Sequence, residues 1–318
     1  MLTLSKIAKL AHVSVSTASK AFSMSSEISE KTRQEIFQIA KEYGCFKKFY
    51  NAKYPKYVVA IICPEFYGRY YSRMVALLED HLRRQNCDIC VAATGFSGEK
   101  EAELLDYYHN YANVDGIIMI GGITLVASTY ELPVVSLSPV CRQVTGITVN
   151  TDRSTAIKAL IRYFVDKGIT DIAFLGERHT WEKQTTFLSA MEENSLCCDK
   201  IAVTDARFET GGYQGMKQLL SKGTPPRVVV CAYDYMAIGA MKCLAENGYD
   251  VPGDVAVVGM DNIPEAEFLI PGLSSIDFRI EEACQAAADA IMDLLAGREV
   301  DKEILLDSAL CLRDSSNV

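Results

Sequence analysis

Two kinds of residue in this 318-residue chain could do chemistry: thiols and clustered cations. There are eleven cysteines and four histidines. Cys87 and Cys90 form a C-x-x-C within a strand-like run, and Cys197 and Cys198 are adjacent. Zinc needs about four ligands brought together, and the histidines are scattered, so neither a metal site nor a cofactor is expected. With no apolar leader ahead of a small-residue cleavage site, the cysteines read as free thiols of a cytoplasmic protein. No apolar run reaches the roughly 18–20 residues needed to span a bilayer, so no membrane partner is expected. No G-x-G-x-x-G follows a strand, no G-x-x-x-x-G-K-[ST] loop is present and no nucleophile–base pair stands out, which argues against an enzyme. The cations are more informative. Residues 1–56 hold ten Lys/Arg and four acids, whereas the whole chain has 32 basic and 41 acidic residues. A head of +6 therefore sits on a body of −15, within a chain of net −9. That is the signature of one localised polyanion-binding surface rather than a general one. If the head neutralised about six phosphates, its log–log salt slope would be about −5.

The elements that must position this charge are three short helices between Leu2 and Gly44. Thr3 is placed to cap the first, in which Ile7, Ala8, Leu10 and Ala11 recur at helical spacing. His12-Val13-Ser14 makes a tight connection. The second helix is expected from about Val15 to Phe22, with Ala18, Ala21 and Phe22 inward. Ser29 caps the third, with Ile36, Ile39, Ala40 and Tyr43 inward and Gly44 ending it. Two short helices joined by a turn of about three residues suggest a helix-turn-helix, whose second helix enters the DNA major groove.

The run IAKLAHVSVSTASKAF then resembles the head of the lactose-repressor (LacI/GalR) family of bacterial transcription regulators, with a pattern of roughly IA-x-x-A-G-V-S-x-x-T-V-S-R-x-L. Ala11, Val13, Ser14, Thr17 and Ser19 are in register, and Lys20 stands where the family usually has Arg. The resemblance implies that Val15, Ser16 and Lys20 face bases: Val15 a thymine methyl, Ser16 a hydrogen-bonding edge, Lys20 a guanine or a phosphate. Thr17 and Ser19 would hold the helix against phosphates, and Thr3 and Ser14 join the DNA-facing set. His12 replaces the family's turn glycine, a position that needs a positive φ.

Residues 45–56, within the run CFKKFYNAKYPKY, read as a basic linker broken by Pro55. The family carries here an R-P-N opening and a short helix that wedges a leucine into the minor groove. This chain lacks both and is about three residues shorter. Phe49, Tyr50 or Tyr54 could serve as the wedge, with Lys47, Lys48 and Lys53 on phosphates, or the segment is simply a tether.

From Tyr57 strands and helices alternate. YVVAIICP is an apolar run suited to a strand buried on both faces. Helices are expected over Met74–Gln85, Glu99–Tyr111, Thr151–Lys167, Glu182–Asn194, Gly211–Leu220 and Met236–Asn247, between strands. Such alternation means parallel sheets, and two cycles mean two lobes with ligands beyond the carboxyl ends of the strands. The resemblance extends here through Val114-Asp115-Gly116-Ile117-Ile118, through Gly248 to Asn262, through Pro271-Gly272-Leu273-Ser274-Ser275 and, loosely, through Leu312, Arg313 and Ser315. The implied α/β fold is a three-helix helix-turn-helix head (1–44), a basic linker (45–56) and a sensing and dimerisation domain (57–318). The last consists of two doubly wound parallel-sheet lobes of periplasmic-binding-protein type, one of 57–149 and 279–305, the other of 150–278 and 306–318.

By the same resemblance an effector lies between the lobes. Tyr70 and Tyr71 replace the aromatic pair of the family's N-P-F-F and could stack on a ring. Asp152 heads the helix after the crossover, Lys183 stands where the family has Arg, and Asp234 matches its N-D-x-x-A-x-G. Paired carboxylates and a cation suit a polyhydroxylated ligand such as a carbohydrate, although Asp152 and Asp234 are also placed to cap helices. Lys183 loses the bidentate fork, Thr186 replaces a glycine, Gly68-Arg69 replaces Asn-Pro and Ser138-Pro139 replaces Asp-Arg. The expected protein is a homodimeric repressor of a pseudo-palindromic double-stranded DNA operator, controlled by a small molecule. The alternative is a cytoplasmic solute-binding module without a specific DNA role.

Overall fold

The computed structural model describes residues 3–50, 56–122, 132–137 and 146–318. They fall into two units, Met1–Tyr57 and Val58–Val318.

In the first unit, α1 (Leu4–Leu10), α2 (Val15–Phe22) and α3 (Glu30–Glu42) close around Ile7, Ala21, Phe22, Ile36, Phe37 and Ala40. Ser14 and Ser29 cap α2 and α3 by accepting from the N–H three residues on, Thr17 at 3.0 Å and Thr32 at 3.2 Å. His12 takes φ 54° in the α1–α2 turn, the conformation a family glycine would supply. Gly44 follows α3 with φ 63°. One residue expected inward is not: Tyr43 is exposed, whereas Phe37, not expected there, is buried in the core. The segment after Gly44 is not a free tether up to Tyr50. A short helix, α4 (Phe46–Phe49), folds back because its rings find Phe22 and Phe37.

The second unit contains two six-stranded sheets. Lobe one uses β1 (Tyr57–Cys63), β2 (Cys87–Ala93), β3 (Gly116–Ile120), β4 (Val134–Leu137), β5 (Ile147–Asp152) and β11 (Glu303–Asp307), in the order β11-β5-β4-β3-β1-β2. Lobe two uses β6 (Ile172–Glu177), β7 (Ile201–Thr204), β8 (Val228–Cys231), β9 (Ala256–Met260), β10 (Ser274–Asp277) and β12 (Ala309–Cys311), in the order β12-β10-β9-β8-β6-β7. The central registers pair apolar residues on both faces, Ile61 with Ile118 and Val229 with Val257, as helix-covered parallel strands require. In lobe two, β12 runs antiparallel to β10.

Helices α5 (Arg69–Arg84), α6 (Gly98–Asn110) and α11 (Ile280–Leu295) belong to lobe one, and α7 (Arg153–Asp166), α8 (Trp181–Glu193), α9 (Phe208–Ser221) and α10 (Asp234–Glu246) to lobe two. Helix α5 begins five residues before the expected Met74, so Arg69, Tyr70 and Tyr71 form its first turn. Helices α9 and α10 pack backbone to backbone. A Cβ on Gly239 would lie 1.9 Å from the Glu209 carbonyl oxygen, and one on Gly212 would lie 1.9 Å from that of Met236. Only glycine permits this approach, and it fixes the N-terminal ends of both helices.

The chain passes between the lobes three times, after β5, after β10 and between β11 and β12. β5 runs three residues and β11 two residues further into lobe one than expected, to Asp152 and Asp307. The passages are hydrogen-bonded to one another: the Thr151 hydroxyl donates to the Phe278 carbonyl at 2.8 Å, and the Ser308 hydroxyl donates to the Asp152 carbonyl.

Candidate nucleic-acid interface and ligand cleft

In the first unit, burial of Ala18, Ala21 and Phe22 turns the opposite side of α2 outward. Val15, Ser16 and Ser19 are exposed there and Lys20 is half-buried, at positions i, i+1, i+4 and i+5. Val15 is 47% exposed, unusual for a β-branched residue at a helix start. Ser14 and Thr17 bond each other, hydroxyl to hydroxyl at 2.8 Å, so they stiffen the start of the helix. The Lys20 ammonium pairs with Glu27. Thr3 is exposed and its side chain caps nothing. Tyr50 is not an available wedge: its ring stacks on Phe46 at 4.7 Å and meets Phe37 edge-on at 5.3 Å. The side chains of Lys47 and Lys48, and Lys53 and Tyr54 altogether, lie outside the described residues.

In the second unit, a cleft of about 420 Å³ opens between the carboxyl ends of the two sheets. Tyr70, Tyr71 and Lys183 line it, as expected. Tyr70 and Tyr71 meet edge-to-face at 5.2 Å, and Tyr71 reaches Phe96 at 6.0 Å. Burial pushes the Tyr70 hydroxyl up to about 12, so it serves only as a hydrogen-bonding group at neutral pH. The Lys183 ammonium donates to Asp261 at 2.9 Å and to the Ala232 carbonyl at 2.8 Å.

Asp152 and Asp234 do not line the cleft. Asp152 is the N-cap of α7, accepting from the N–H of Ser154 at 2.9 Å and of Thr155 at 3.4 Å and from both hydroxyls. The Thr155 hydroxyl, ahead of its other donors, holds its carboxyl below the ordinary value. Asp234 is fully buried beneath the floor. It accepts from the Ser275 hydroxyl at 2.6 Å and the Ile263 N–H at 2.8 Å, and the cap of α10 is Tyr233. A Cβ on Gly259 would lie 2.0 Å from its Oδ1, so a glycine of the matched run from Gly248 to Asn262 makes its socket. Burial pushes the Asp234 carboxyl up to about 8. Ser138 and Pro139 lie outside the described residues.

Apart from Lys183, the charges that face the cleft were not expected. Glu65, two residues beyond β1, is gripped by Arg207 through two hydrogen bonds of 2.8 and 2.9 Å. Glu177, the last residue of β6, lies 3.8 Å from the Arg207 Nε. Arg69 reaches Glu209 at 3.1 Å and lies 4.2 Å from the centre of the Tyr235 ring. Arg153 pairs with Glu182 at 2.9 Å. Phe96 of lobe one lies flat on His179 of lobe two, 4.2 Å apart. The rule that ligands bind beyond strand carboxyl ends points to Glu65, Glu177 and Asp261, which end or directly follow β1, β6 and β9. Arg207 carries no such signal. Among the described residues, no group of three or more metal-ligating side chains comes together. No helix among them is long and apolar enough to cross a membrane.

Residues 3–45 match the bacterial regulatory proteins of the lacI family, and residues 161–316 match the periplasmic binding protein-like domain. Over 330 residues the chain is 23% identical to the HTH-type transcriptional regulator MalR of Clostridium butyricum, covering 97% of each. It is 26% identical to a probable HTH-type transcriptional repressor, ExuR, of Bacillus subtilis, covering 99% of this chain and 98% of the relative. Among solved structures, the lac repressor dimer bound to operator and the anti-inducer ONPF superposes with a TM-score of 0.75 at 20% identity, over 100% of this chain and 99% of that one. A LacI-family regulator from Silicibacter pomeroyi superposes with a TM-score of 0.80 at 19% identity, over 99% of each chain. The structural likenesses are of fold. The curated relatives are transcriptional regulators, not enzymes.

Proposed function

The chain belongs to the LacI family of bacterial transcriptional regulators, and from that premise we propose that it is a homodimeric repressor whose operator binding is set by a small molecule in the inter-lobe cleft. The observation that carries this reading is the outward face of α2, where Val15, Ser16, Ser19 and Lys20 are presented on a helix stiffened by the Ser14–Thr17 cap. Short side chains on a rigid helix can approach base edges closely, Val15 toward a thymine methyl and Ser16 as donor or acceptor. Thr17, Ser19 and Thr3 take phosphates, as does Lys20 once released from Glu27. Two heads related by a two-fold axis read an inverted repeat.

The ligand is small and polar, with hydroxyl groups among its polar atoms. Tyr70 and Tyr71 offer ring faces, and Lys183 with Asp261 offers hydrogen bonds to hydroxyls. To move operator occupancy from 99:1 to 1:99, the ligand must favour one lobe arrangement by about 5.5 kcal/mol.

The experiment is selection of bound duplexes from a random library by the full-length protein at fixed salt. An enriched inverted repeat is the expected result. Duplex binding without enrichment overturns sequence-specific repression, and no binding at all leaves the solute-binding module as the better reading.

A further inference from the structure

We propose that the cleft's ligand carries a cationic nitrogen, an amine or a guanidine, which takes the place that Arg207 occupies between Glu65 and Glu177. The inference rests on the reading of this cleft as the effector site and names its ligand class. β1 and β6 hold the same position in the two strand orders, fifth of six, and each delivers a glutamate to the cleft at its carboxyl end. Both glutamates are 4% exposed, and they belong to opposite lobes. One guanidinium lies between them. It fits one carboxylate fully and the other poorly: both terminal nitrogens bond Glu65, whereas Nε stays 3.8 Å from Glu177 and has no hydrogen-bond partner although buried.

The cation also lies against ring faces of both lobes, 5.6 Å from the centre of Phe96 and 4.7 Å from that of Phe208. Two buried carboxylates and two aromatic faces are the surroundings a cation prefers. The acids are the fixed part. Glu177 is held by the His179 N–H at 2.9 Å. Glu65 lies over Gly68, where a Cβ would lie 2.1 Å from its Oε1. Gly68 is one of the positions at which this chain departs from the family's Asn-Pro. Arg207 is the movable part, a long side chain 23% exposed at the start of α9. When it swings to water its own charge is solvated, but two buried carboxylates are left without a counter-charge. An anionic ligand would do the reverse and strand Glu65, and a neutral one would leave the acid pair as it is.

The test is thermal unfolding of the full-length chain, wild type and Arg207→Ala, with agmatine, acetate, D-glucose or sodium chloride at matched ionic strength. Arg207→Ala is expected to melt about 5–10 °C lower, because the acid pair is left unpaired. Agmatine restores at least half of that loss and binds the variant at least tenfold more tightly than wild type, while acetate and glucose do neither. Arg207→Gln, which keeps the volume and removes the charge, gives the same ranking if the alanine variant does not fold. Glu65→Gln abolishes agmatine binding in the Arg207 variants. Stabilisation by acetate, or no response to agmatine in either variant, overturns the proposal. If agmatine stabilises the protein and leaves operator affinity unchanged, the ligand class stands and effector control fails. If glucose shifts operator affinity while agmatine is inert, effector control stands and the cationic ligand fails.

Discussion

The outward face of α2 and the inter-lobe cleft are both polar, and they handle polarity in opposite ways. On α2 the groups are short and mostly uncharged, and of the outward ones Lys20 alone forms an ion pair, with Glu27, so the surface waits for a partner. In the cleft nearly every charge already has one: Glu65 with Arg207, Lys183 with Asp261, Arg153 with Glu182, Arg69 with Glu209. An exposed helix face keeps its polar groups in water at no cost, whereas a cleft with low-dielectric walls must neutralise its charges internally. A ligand therefore adds contacts on α2 but must exchange contacts in the cleft.

The sharpest break is expected at Gly239→Val. Its Cβ would lie against the Glu209 carbonyl, so α9 and α10 must part and take the cleft's Arg207 and Tyr235 with them. The loss should exceed about 4 kcal/mol, read by urea unfolding of the sensing unit. The circular-dichroism signal of the isolated head segment, expressed separately with the same flanks, is the control that should not involve residue 239.

A smaller effect is expected at Asp234→Asn. Burial raises the folded-state pKa of Asp234 to about 8, so the folded protein binds a proton that the unfolded chain has released. The resulting stability is present in full below the unfolded value near 3.8 and is lost as pH rises toward about 8. Asparagine keeps acceptor and donor and cannot ionise. The variant should gain on the order of 3 kcal/mol over wild type at pH 8 and nothing at pH 4, with a flatter stability profile between them. A profile that keeps its slope would show that another group sets it.

On α2 the effects are smaller and fall on binding. Ser16→Ala should cost about 1–2 kcal/mol at one base step of the selected operator and leave the other positions unchanged. A uniform loss across all sequences would place Ser16 on a phosphate. Glu27→Gln should be smallest. The Lys20 ion pair with Glu27, in the connection after α2, is where this face meets a charge as the cleft does, and the pair is largely exposed. Freeing Lys20 should strengthen duplex binding by less than about 1 kcal/mol and steepen the salt slope by up to about one unit.

These two sites were not equally legible in the sequence. The bounds of α2 and the Ser29 cap follow from local rules, because a cap depends on residues three or four apart, whereas the positive φ of His12 came from the resemblance and the Ser14 cap was not foreseen. The βαβ order is legible for the same reason. The cleft depends on residues from different strands and opposite lobes, as in Glu65 and Arg207, 142 positions apart. Asp152 and Asp234 show the error in the other direction. Each matches a family motif, yet one caps a helix and the other supports the floor from below. The fold of Phe46 and Tyr50 back onto the head was missed because charge marked that segment as a linker, while its rings decide where it packs.

The three passages between the lobes lie side by side and are cross-bonded at Thr151, Phe278, Ser308 and Asp152. Three cords stitched together in this way behave as a flat strap. A strap folds readily about the line across its width and resists both twisting and bending in its own plane. Any opening of the lobes would therefore be confined to one swing, like the cover of a book on its spine.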